Sequence, residues 1–225
     1  MKLKYFSHSA FQITANNRKI ILIDPFLDGN PTSPEKSDNI NADYIILTHA
    51  HGDHIGDAFK IAERCGSTFI CVNELANYCQ AKGFTAHNMH IGGGFNFDFG
   101  KVKFTIAHHG SITPEGQYAG EPAGVIITIG KISIYHTGDT GLFYDMKLIG
   151  EMTPVDIMLL PIGDNFTMGI TDAVKAVELV NPKLAIPIHF NTFPLIAANP
   201  KEFKDKIEDK GFQCRILNYG EEIEF

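Results

Sequence analysis

Four separate apolar runs in this chain lead straight into histidine or aspartate, and that repeat constrains the fold more than any other feature. Tyr44–Thr48 runs into His49, Val102–Ala107 into His108 and His109, Ile132–Tyr135 into His136 and Asp139, and Leu184–Ile188 into His189. Short apolar runs bounded by turn residues read as buried strands. In layered α/β proteins, sites gather beyond the carboxyl ends of strands. Four strands that each end in a metal-ligating side chain are therefore expected to deliver them to one place.

The densest group is Thr48-His49-Ala50-His51-Gly52-Asp53-His54. In extended backbone, residues two apart point to the same side, so His49 and His51 can grip one ion. Gly52 is expected to turn the chain sharply, so that Asp53 and His54 face a second ion. Imidazole and carboxylate are ordinary ligands for zinc and related divalent ions. The competing explanation is a polar turn with chance histidines. The density of ligands between a strand and a helix start outweighs it.

Further strands are expected at Phe11–Thr14, Lys19–Ile23, Gly124–Ile129 and Val155–Leu160. A helix over Asp57–Cys65 would be capped by Asp57 and stopped by Gly66. Others are expected over Asn73–Lys82, over Thr171–Val180, and from Asn199-Pro200 to a stop at Gly211. Asp28–Asn41 reads as an exposed polar excursion, and Gly92-Gly93-Gly94 as a turn. Strands and helices alternate in two similar halves, which points to sheets covered by helices. No Pro/Gly/Ser-rich linker divides the chain, so residues 1–225 read as one domain.

Composition removes several function classes. Apolar runs such as Ile20–Ile23 fall far short of the roughly 20 residues of a membrane helix. The N-terminus lacks the apolar stretch of a signal peptide. A net charge of −7 argues against a nucleic-acid partner, because such binding leans on Lys and Arg. A small-molecule substrate fits better, and local metal charge would let it be anionic. Cys65, Cys71, Cys79 and Cys214 form no Cys-x-x-Cys pair and stand away from the His/Asp groups. They read as reduced, mostly buried thiols of a cytoplasmic protein.

The His49–His54 segment resembles the His-x-His-x-Asp-His signature of the metallo-β-lactamase superfamily, and later motifs follow in that family's order over nearly the whole chain. The resemblance implies an α/β fold, a four-layer αββα sandwich. It implies a first metal held by His49, His51 and His109, with His108 as the competitor for the third place. It implies a second metal held by Asp53, His54 and His189, and a bridging Asp139. Ser7–Phe11, Pro161–Gly169 and His189–Pro194 resemble a bacterial and archaeal family of metal-dependent hydrolases similar to the L-ascorbate-6-phosphate lactonase branch. The implied cofactor is two divalent ions per chain, zinc first, with manganese, iron or nickel as alternatives. The implied reaction is attack of a hydroxide held between them on an ester-like bond, a phosphoester or a lactone.

Asp53, Asp139 and His8 are the candidate catalytic residues. His8 could give a proton to a leaving group or hold an anionic substrate; a hydrogen-bonded structural histidine is the alternative. Asp24 and His136 are candidates for supporting the ligands by hydrogen bonds. Asp164 and Asn165 read equally as pocket-forming or as turn residues. Ser9 and Ser111 read as local hydrogen-bonders. Phe193 and Leu195 could line a pocket or a contact in a homo-oligomer. β-Lactam turnover is disfavoured, since no cysteine stands at the second metal. The alternatives are an iron-dependent redox enzyme, a ribonuclease-like phosphodiesterase, and a metal-binding module without catalysis.

Overall fold

The computed structural model describes residues 1–225. Thirteen strands form two sheets. The seven-stranded sheet has the order β13 (Glu222–Glu224), β1 (Lys2–Ser7), β2 (Ala10–Thr14), β3 (Ile20–Ile23), β4 (Tyr44–Ile46), β5 (Thr68–Val72), β6 (Ala86–Met89). The six-stranded sheet has the order β12 (Leu184–Ile188), β11 (Ile157–Pro161), β10 (Ile132–His136), β9 (Ala123–Ile129), β8 (Gly100–Ile106), β7 (Gly94–Phe97). Strands β3 to β6 are parallel, as are β10 to β12, and all other neighbours are antiparallel. Each half thus passes from antiparallel into parallel pairing.

Period-two alternation decides the layers. In the second sheet, Ile134, Ile157, Leu159, Ile186 and Ile188 join one apolar cluster with Leu3, Phe11, Ile13 and Ile21 of the first sheet. Their neighbours Tyr135, Met158, Leu160 and Ala185 point the other way, into a second cluster with Met146, Ala173, Val177, Phe203 and Ile207. Those last five lie on α4 (Met146–Met152), α5 (Ile170–Val180) and α6 (Pro200–Glu208). The outer face of the first sheet is covered by α2 (Ala58–Cys65) and α3 (Asn73–Ala81), through Ile61, Leu75 and Cys79. The order helices–sheet–sheet–helices is the expected αββα sandwich. No helix is long and apolar enough to cross a membrane. All four cysteines are free, and three are buried.

Two expectations need correction. β4 ends at Ile46, not Thr48. The Thr48 N–H donates to Asp24 Oδ1 (2.9 Å) and its carbonyl accepts from Ala123 of the other sheet (2.9 Å). Thr48 therefore ties the two sheets together instead of continuing a ladder. Asp57 does not cap α2 with its side chain; Oδ2 accepts from the N–H groups of Leu27 (2.9 Å) and Asp28 (2.8 Å), bracing the turn after β3. At Gly52 the chain turns from extended His51 into a one-turn helix, α1 (Gly52–Ile55). Strands β6, β7 and β13 and helix α4 carry too short or too polar a pattern to be read in advance, whereas the apolar run of β5, Phe69–Val72, met the strand criterion and was passed over.

Candidate metal centre

Six strand ends meet at one place: His8 follows β1, Asp24 follows β3, His49 follows β4, His109 follows β8, Asp139 follows β10 and His189 follows β12. Three imidazoles form the first group. His51 Nδ1 lies 3.0 Å from His49 Nε2 and 3.2 Å from His109 Nε2. Tetrahedral ligands at zinc–nitrogen distances of about 2.0–2.1 Å stand about 3.3 Å apart, close to this spacing. His108 lies outside the group, exposed, with its ring edge-on to Phe143. Its backbone N–H donates to Thr140 Oγ1 (2.9 Å), which turns His109 inward.

Asp53, His54 and His189 form the second group, joined by His8; one ligand atom from each lies within 4.8 Å of the others. Asp139 belongs to both groups. Its Oδ2 is 3.1 Å from His189 Nε2, 3.3 Å from His54 Nε2 and 3.6 Å from His109 Nε2.

A buried carboxylate orients ligands of both groups. Asp24 Oδ2 accepts from His54 Nδ1 (2.7 Å) and from Thr48 Oγ1 (2.6 Å), and Thr48 Oγ1 stands 3.0 Å from His49 Nδ1. A carboxylate only accepts, so each imidazole presents its Nε2 lone pair inward. Asp53 is held by His8: Nε2 is 3.2 Å from Asp53 Oδ2, and Nδ1 is 2.9 Å from Thr192 Oγ1. With Asp53 ionised, Nε2–H is the donor and the Thr192 hydroxyl donates to Nδ1. Burial pushes the His8 pKa down to about 4 against the pull of Asp53, so the ring is neutral at pH 7. His8 is fully buried and its ring lies 4.1 Å from that of His189. Sequence reasoning passed over Thr48 and Thr192, which carry no signal beyond adjacency to a ligand motif.

His136 serves the scaffold. Its Nε2 donates to Ser9 O (3.0 Å) and its Nδ1 accepts from Gly138 N–H (3.0 Å), so neither nitrogen supports a ligand. Neither serine is the local hydrogen-bonder expected: Ser111 Oγ accepts from Ala50 N–H at 3.3 Å, 61 positions away, and Ser9 Oγ is buried without a partner. Asp164 and Asn165 form a tight turn, with Asn165 N–H bonded to Asp164 Oδ1.

The backbone around the centre is strained. His8, Asp24, Asp164, Asn165, His189 and Asn191 all adopt positive φ, which non-glycine residues rarely do. All six follow strand ends, where the chain must leave the sheet abruptly. Gly163 shows how close the packing is: a Cβ there would meet His189 O at 2.2 Å.

The residues present fit divalent ions. Asp139 Oδ1 and His189 Nδ1 are buried without a hydrogen-bond partner, and His54 Nε2 and His189 Nε2 face Asp139 Oδ2 at 3.3 and 3.1 Å without a well-directed bond. Each such atom costs roughly 1–3 kcal/mol, which a coordinated cation would relieve. Burial works against charge on His54, yet the Asp139 and Asp24 carboxylates hold its pKa well above the ordinary value. Burial likewise opposes ionisation of Asp139, and His189 and His54 overcome it. The two carboxylates thus favour positive charge at His54, whereas burial lowers the pKa of His49, His51 and His109 and keeps those rings neutral as ligands must be.

Comparison with known proteins agrees with this geometry. A β-lactamase superfamily domain model matches residues 19–190. A UPF0173 metal-dependent hydrolase from Carboxydothermus hydrogenoformans is 51% identical over 99% of each chain. One from Bacillus cereus is 47% identical over 99% of each chain. The solved structure of a metallo hydrolase from the archaeon Ignicoccus hospitalis is 39% identical, covers 100% of this chain and 98% of that one, and superposes with a TM-score of 0.92. The chain belongs to the UPF0173 metal-dependent hydrolase family, within the β-lactamase superfamily.

Proposed function

We propose that the protein uses two divalent ions, zinc first with manganese, iron or nickel as alternatives, to hydrolyse an ester-like bond, a lactone or phosphoester, in a small molecule. When bound, such a pair lowers the pKa of a water from 15.7 to about 7 and draws charge from a carbonyl or phosphoryl oxygen. The observation that carries the proposal is Asp139 Oδ2, within 3.6 Å of nitrogens from both groups. A carboxylate so placed can be shared by two cations.

In this scheme His49, His51 and His109 hold one ion, and Asp53, His54 and His189 the other. Asp24 and Thr48 fix the tautomers of His54 and His49. His8, engaged at both nitrogens, orients Asp53 and contributes no proton to the leaving group. We also read residues 1–225 as one domain, and its free thiols as suited to the reducing cytoplasm.

Elemental analysis of protein purified without chelator, paired with a panel of lactones, carboxylic esters and phosphoesters, tests this. About two ions per chain, with turnover lost on chelation and restored by metal, is the expected result. Full turnover in metal-depleted protein, or a single ion per fully active chain, would overturn it.

A further inference from the structure

The loops that frame the metal centre are almost free of positive charge. They are residues 8–9, 24–43, 47–51, 107–122, 137–145, 162–169 and 189–199, the segments that follow β1, β3, β4, β8, β10, β11 and β12. Of the 19 Lys and Arg residues of the chain, Lys36 alone falls in them. Its Nζ donates to the backbone oxygen of Asp28 at 3.2 Å, on the exposed excursion. Sites that bind a phosphomonoester dianion clamp it with Arg or Lys in addition to metal ions. These loops supply no such clamp.

They supply apolar surface in its place. The half-buried rings of Phe26 and Phe193 lie 5.9 and 5.7 Å from the ring of His8, and 6.3 Å from each other. His8 in turn touches Asp53, and its ring lies 4.1 Å from that of His189, tilted by 40°. The two phenyl rings therefore wall the side of the centre that Asp53 and His189 occupy. Beyond them Leu195 and Phe166 stand 67% and 52% exposed. Leu195 shares the loop of Phe193. Phe166 tips the loop whose Gly163 packs on the His189 carbonyl.

We infer that Phe26 and Phe193 form a subsite for an uncharged apolar group, and that the substrate is a carboxylic ester or lactone bearing such a group, not a phosphomonoester. The inference rests on the hydrolase assignment above. In the reaction the acyl carbon–oxygen bond breaks and a bond from the acyl carbon to the water oxygen forms. One water proton ends on the departing alkoxide, and no electrons are gained or lost.

The test uses metal-loaded, full-length protein with p-nitrophenyl acetate, butyrate and hexanoate, with p-nitrophenyl phosphate alongside. kcat/KM is expected to rise about tenfold or more along the acyl series, the scale on which an apolar pocket discriminates methylene groups. Phe193→Ala and Phe26→Leu should flatten that rise with metal content unchanged. Calorimetry with the uncharged, unreactive 4-phenylbutyramide provides a readout independent of turnover, and its binding should weaken at least tenfold in Phe193→Ala. A flat series in the wild type, or saturation by p-nitrophenyl phosphate at lower concentration than by any ester, overturns the inference. Amide binding that depends on Phe193, with no turnover of any ester or of the phosphate, supports the subsite and overturns the ester-hydrolysis reading on which the inference rests.

Discussion

The three-histidine group and the carboxylate-bearing group touch at Asp139 but are built differently. In the first, His51 and His109 are partly exposed, and of the three only His49 has a hydrogen-bond partner, Thr48, at its outward nitrogen. In the second, His54 and His189 are buried, Asp24 grips His54, and the Thr192–His8 pair grips Asp53. Supporting bonds fix ligand orientation before the ion arrives. The second group is therefore largely preorganised by protein, whereas the first would depend more on a bound ion to hold it in shape.

Removing the shared element should have the largest effect. Asp139→Asn is expected to empty both groups and cut turnover by more than the roughly 10–100-fold that a lost supporting bond costs a metal site. Metal content and kcat measured on the same preparation check this, and unchanged turnover would sink the bridging role. Asp24→Asn comes next. It should weaken metal binding roughly 10–100-fold in both groups, through His54 directly and through Thr48 to His49. Competition with a graded chelator reads each step; weakening of one step alone would show that the Thr48 relay transmits nothing.

A more selective substitution separates the groups. Thr192→Val removes the hydroxyl at His8 Nδ1 and frees the ring that holds Asp53. Affinity should fall about tenfold for the second group only. In cobalt-substituted protein the absorption of one site should change and the other stay fixed, and equal change in both would contradict the division drawn here. The smallest effect lies away from the ligands. Asn199 caps α6 by accepting from Lys201 N–H at 3.1 Å. Asn199→Ala should cost about 1 kcal/mol, lowering Tm by roughly 2–4 °C, with metal stoichiometry unchanged. Loss of metal there would show that α6 bears on the centre.

Much of this architecture is local in origin and so was readable in the chain. Apolar runs of period two, glycine stops such as Gly66 at φ 68°, and the helix start at Asn199-Pro200 each depend on a few neighbouring residues. The His49–His54 segment declares its chemistry because its ligands are contiguous. Edge strands β6 and β7, with Ala86–Met89 and Gly94–Phe97, carry no such local signature. They become strands because β5 and β8 offer unpaired backbone groups to them.

Propensity and periodicity act over short separations, and they set the strands, the residue types at their ends and the expectation of sheets covered by helices; the four-layer sandwich followed from the resemblance to the metallo-β-lactamase superfamily. Only the tertiary structure decided that His109 and not His108 turns inward, that Asp24 serves both groups, and that His8 is spent on Asp53. Those outcomes rest on contacts between residues 30–184 positions apart in the chain. Packing of the two sheets brings His8 to Thr192 and His51 to His109, while the order of strands within one sheet brings Asp24 to His54, His8 to Asp53 and His108 to Thr140.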